Sequence, residues 1–85
     1  MSKIDHWVSC KVATGMTPGE YSVELKTADG REISLFAQEN VVDTKNSRLL
    51  VNVLENSPNS CLVYLPSVPF ETSSRFINVP KQDVK

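Results

Sequence analysis

Residues 25–36, LKTADGREISLF, confine the chain more tightly than any other stretch. Upstream of the turn Tyr21, Val23, Leu25 and Thr27 alternate with Ser22, Glu24 and Lys26. Downstream, Ile33, Leu35 and Ala37 alternate with Glu32, Ser34 and Phe36. A period of two marks strands with one buried face. Between them Ala28-Asp29-Gly30 fits a three-residue hairpin loop, a type I turn closed by a left-handed glycine with a bulge. That loop sets Thr27 opposite Arg31, Leu25 opposite Ile33 and Val23 opposite Leu35, all on one face. On the other face Lys26 meets Glu32 and Glu24 meets Ser34. A one-residue slip would separate the apolar pairs and the charged pair together.

Further strands follow from the same reading. His6, Val8, Cys10 and Val12 alternate with Trp7, Ser9 and Lys11, which predicts one first strand, ended by the turn-rich Thr14-Gly15-Met16-Thr17-Pro18-Gly19. Residues 38–47 are polar around Val41 and Val42 and predict a short turn or a single helical loop. Leu49 to Glu55 suits a strand, although Leu49, Leu50, Val53 and Leu54 also share a helical face with Ser47 as a cap. Two valines in seven residues and the turn at Asn56-Ser57-Pro58-Asn59 favour the strand. Cys61 to Leu65 and Arg75 to Val79 read as two more strands, separated by a loop over 66–74. About six short strands in one small unit predict an all-β fold, a small antiparallel barrel, with an SH3-like form favoured over an OB-like one. The expected domain spans residues 1–80, and 81–85 read as a disordered tail.

Composition narrows the function classes. An 85-residue chain buries only about 60–65% of the surface its unfolded form exposes, so its core is thin. Nine Lys and Arg against ten Asp and Glu give a net charge of -1, without the basic stripe expected of a protein that holds duplex nucleic acid or an anionic membrane. No apolar run has the length of a signal-peptide core or a membrane span. Two cysteines, Cys10 and Cys61, then suggest a reducing compartment, and the expected location is cytoplasmic.

Catalytic chemistry finds no pattern. His6 is the only histidine, and on a strand it stands ~13 Å from Cys10 at ~3.3 Å per residue, too far for a nucleophile–base pair. One histidine and two distant cysteines match no close-spaced zinc pattern. Gly15 and Gly19 lack the ending of a phosphate-binding loop. The expectation is a non-enzyme without cofactor or metal. Both cysteines read as small buried hydrophobes.

Binding is what the residues leave. Trp7 and Phe36 fall on the polar parity of their strands, so both are expected on an outer face if the first strand lies beside the hairpin. The competing expectation is that the 66–74 loop covers them through Val68 or Phe70. Trp7, Phe36, Lys11 and Phe70 are therefore the candidate partner-binding residues. They suit a small interaction module or accessory subunit that binds a protein partner through an exposed face or strand edge, as a monomer or an edge-strand homodimer. The alternative is a single-stranded nucleic-acid binder that stacks bases on the same aromatics, with Lys11, Lys26 and Arg31 nearby. Pro66-Ser67-Val68-Pro69 matches a PxxP pattern, which a proline-containing loop explains equally well.

Overall fold

The computed structural model describes residues 4–85, with side chains from His6 onward. Among the described residues eight strands form two antiparallel sheets: β1 Ile4–Ser9, β2 Lys11–Thr14, β3 Glu20–Lys26, β4 Glu32–Gln38, β5 Val42–Asp43, β6 Arg48–Asn56, β7 Ser60–Tyr64 and β8 Phe76–Pro80. Two single turns of 3-10 helix, Glu39–Val41 and Lys81–Asp83, complete the described secondary structure. One sheet runs β1-β6-β7-β8, with β5 also paired to β6, and the other runs β2-β3-β4. The fold is all-β, as expected, but neither sheet closes on itself into a barrel.

The hairpin has the register its residues dictate: Leu25 opposes Ile33, Val23 opposes Leu35, Lys26 opposes Glu32 and Glu24 opposes Ser34. Gly30 takes φ +88° and donates its N–H to the Thr27 carbonyl at 3.0 Å, while the Thr27 N–H bonds Arg31 O at 2.7 Å. Thr27 is buried, and its hydroxyl is satisfied by Asp29 and by the Arg31 N–H at 3.0 Å.

The first strand departs from expectation. It breaks at Cys10, and its halves join different sheets, β1 beside β6 and β2 beside β3. Cys10 donates its N–H to Ser47 O at 3.0 Å, on the β6 side, whereas Lys11 and its successors pair with β3. One bent strand thereby links the two sheets. Residues 49–55 lie wholly within a strand, β6, whose register shifts between Val53 and Glu55 beside the exposed Leu54. The stretch expected as a turn or helical loop holds the 3-10 turn and then the short β5.

Side chains of the inner faces form a single core cluster, in which Val23, Leu35, Leu49, Val63, Leu65 and Val79 are fully buried. Cys61 belongs to that core, and Cys10 packs half-buried against it. Residues 81–85, expected as a disordered tail, form the second 3-10 turn and then lie along β1. Val84 bridges Val8, and Lys85 N–H bonds Trp7 O at 2.8 Å.

Candidate interaction face

Trp7 and Phe36 stand on different sheets. Phe36 is on the outer face of the three-stranded sheet, where Lys11 and Ala13 of β2 lie across from Glu24 and Ser22 of β3, and these from Ser34 and Phe36 of β4. Lys11 is largely exposed, with its Nζ 4.0 Å from Glu24 Oε1. Phe70 packs edge-on against Phe36, ring centroids 5.1 Å apart at 84°. The 66–74 loop therefore does cover Phe36, through Phe70, and it leaves Trp7 untouched by any contact of that kind among the described residues. The same loop closes the edge of β4. Phe70 N–H bonds Ser34 O at 2.9 Å, the Glu71 carboxylate accepts from Ser34 N–H and hydroxyl at 2.7 and 2.8 Å, and the Ser67 hydroxyl bonds Phe36 O at 2.5 Å. Those bonds to Ser34 hold the Glu71 carboxyl below its ordinary pKa. Pro69, the second proline of the PxxP pattern, is buried in this arrangement, and Val68 beside it is exposed.

Trp7 belongs to a second outer surface. On the five-stranded sheet it pairs with Leu50 of β6, and Tyr64 of β7 pairs with Asn52 of β6 and with Phe76 of β8. Inner and outer residues alternate along these strands. Val8, Leu49, Val51, Val63, Ile77 and Val79 face the core, which turns Trp7, Leu50, Tyr64 and Phe76 outward. Tyr64 and Phe76 rings lie 5.0 Å apart, and Phe76 is 54% exposed.

The guanidinium groups of two arginines lie over rings of this row. The Arg48 guanidinium sits 5.1 Å from the centre of the Trp7 ring, and that of Arg75 sits 4.5 Å from the Tyr64 ring. Each is held by acceptors as well. Arg48 donates to Asp43 Oδ2 at 2.7 Å, and Arg75 donates to Leu65 O at 2.9 Å and Pro66 O at 2.6 Å. Arg48 and Asn46 bind the Asp43 carboxylate and pull its pKa down to about 2. Between Leu50, Tyr64, Pro66 and Arg75 the surface sinks into a depression of about 250 Å³.

The alternation that singles out Trp7 and Phe36 applies equally to Tyr64 in CLVYL and Phe76 in FINVP, so both were within reach of sequence reasoning. The arginine–ring contacts were not, because Arg48 reaches Trp7 across strands and Arg75 reaches Tyr64 from the far end of a loop.

His6 Nδ1 lies 3.0 Å from Lys85 O, and the Cys61 thiol donates to Asn56 Oδ1 at 3.0 Å. Burial pushes the Cys10 thiol up to about 11, away from a reactive thiolate. Among the described residues no group of three His, Cys, Asp or Glu side chains is placed to hold a metal ion, and no helix is long and apolar enough to cross a membrane. No protein-family model, curated protein or solved structure matches this chain.

Proposed function

We propose that this protein is a non-catalytic interaction domain that binds a protein partner through the outer face of its five-stranded sheet. The observation that carries this reading is the row Trp7, Leu50, Tyr64 and Phe76, with the Arg48 and Arg75 guanidinium groups over the Trp7 and Tyr64 rings. Trp, Tyr and Arg are the residues that anchor protein interfaces, and rings braced by guanidinium groups lose little freedom when a partner covers them. Arg48 is ion-paired with the Asp43 carboxylate, which favours protein over nucleic acid at that ring, while Arg75 donates only to neutral carbonyls and keeps its charge. Base stacking on a surface of net charge -1 would lack the basic groove that normally accompanies it.

The bent strand shared by the two sheets, and the lack of an α-helix between strands among the described residues, support an SH3-like reading of the fold. Two unpaired cysteines support a reducing, cytoplasmic setting.

The test compares wild type with Phe76→Ala, a change at an exposed position, in capture from native lysate at low and high salt, followed by affinity measurement on the purified partner. A protein held at high salt and weakened about tenfold or more by Phe76→Ala supports the face. Retention unaffected by Phe76→Ala and by Trp7→Ala in folded variants removes it. Nucleic acid recovered only at low salt points to the stacking alternative.

A further inference from the structure

The sheet edges are not treated alike. The outer side of β1 is occupied by Val84 and Lys85, and that of β4 by the 66–71 segment. On β8 the Asn78 carbonyl accepts the Ala28 N–H at 2.8 Å, and Pro80 carries no N–H. The edge of β2 is different. Cys10 N–H points to Ser47 O on one side of the strand, and Gly15 N–H points to Glu20 O on the other. Backbone groups alternate along a strand, so Lys11 and Ala13 bond β3 while Val12 and Thr14 direct their N–H and C=O outward. Among the described residues nothing bonds those four groups.

We propose that a second copy of this chain pairs with this edge, β2 against β2, across a two-fold axis at Ala13. An antiparallel register centred there sets Val12 opposite Thr14 of the second copy, and Thr14 opposite its Val12. All four outward groups of each copy are then bonded. Centring on Val12 instead would pair Thr14 with Cys10, whose N–H is already committed to Ser47. Centring on Thr14 would pair Val12 with Met16, whose N–H faces Glu20 Oε1 at 3.3 Å.

Side chains agree with the Ala13-centred register. Ala13, exposed and small, meets its own copy in the close non-hydrogen-bonded position. Lys11 meets Gly15, so the two lysines stay apart instead of repelling across the axis. The product is a continuous six-stranded sheet, β4-β3-β2 followed by its symmetry mate, with the isologous contact that closed dimers use. This assembly stands independently of the aromatic face, which lies on the other sheet.

The experiment measures molar mass by sedimentation equilibrium up to millimolar protein, for wild type and for Thr14→Pro. Proline removes the Thr14 donor from the open edge and leaves the β2–β3 bonds intact. In parallel, Ala13→Cys in a Cys10→Ser background is oxidised mildly, since Cα atoms about 4.5 Å apart at the axis are within disulfide range. Expected are a wild-type dimer, a dissociation constant raised about tenfold or more by Thr14→Pro with melting unchanged, and a covalent dimer through position 13. Wild type that stays monomeric at millimolar concentration overturns the proposal. A dimer that neither weakens with Thr14→Pro nor cross-links through position 13 overturns it as well.

Discussion

Gly30 and Gly15 are both required, for different physical reasons. Gly30 holds φ +88° in the hairpin loop with no atom within 4 Å of where a Cβ would stand, so a side chain there meets backbone strain and nothing else. Gly30→Ala is expected to lower unfolding stability by about 1–2 kcal/mol in urea titration, and Gly30→Asn by less, because asparagine tolerates the left-handed region. An unchanged midpoint for the alanine variant would contradict the turn type. At Gly15 a Cβ would come within 2.6 Å of the Glu20 carbonyl oxygen, a clash with backbone that cannot rotate away. Gly15→Ala is therefore expected to shift the melting midpoint down further than Gly30→Ala. A smaller shift would mean that the 15–20 turn yields easily. Gly30 was legible in the sequence because the alternation on both sides fixes a three-residue loop. The need at Gly15 was not, since it depends on where the chain returns at Glu20.

At the scale of elements, the hairpin and the strand character of residues 49–55 could be read directly, while the break at Cys10 could not. Val8 is buried and Val12 half-buried on the same parity, so the alternation runs through the bend without a change of phase. Periodicity reports which side is buried and is silent about which sheet the strand joins. The 66–71 segment shows the same limit: it reads as a loop, yet it acts as a guard on the edge of β4, where an unpaired strand would invite association. Only one of its bonds to Ser34 is made by backbone on both sides. The others come from the Glu71 carboxylate. Glu71→Ala should speed hydrogen exchange at the Ser34 amide while the Leu35 amide, bonded within the β3–β4 ladder, keeps its protection. Equal loss at both positions would mean that the segment supports the whole hairpin instead of guarding its edge.

The molecule as a whole is two sheets joined by one bent strand around a thin core, and its candidate face emerges only when four strands are laid side by side. Trp7 was legible as an outward aromatic, but its neighbours depend on the β1-β6-β7-β8 order, which no local pattern in the sequence encodes. What ties the peripheral parts to this frame is largely carboxylate chemistry. Asp29 accepts from Thr27 in the hairpin loop, Asp43 holds Asn46 and Arg48 beside Trp7, and Glu71 holds Ser34 at the β4 edge. Each has its pKa lowered, led by the Thr27 hydroxyl for Asp29, by Arg48 for Asp43 and by the Ser34 N–H for Glu71. A carboxyl whose folded pKa is depressed adds stability that is fully present above its unfolded pKa and is lost as pH falls through the folded value. Stability should therefore hold level on the alkaline side of the carboxylate range and decline as pH drops below it. Asp43 contributes over the window from its ordinary 3.8 down to about 2. In urea titrations across that range, Asp43→Asn should start less stable near neutrality and fall less steeply in acid than wild type. Parallel curves for the two proteins would mean that the Asp43–Arg48 contact adds nothing to folding, and that Arg48 rests on Trp7 without it.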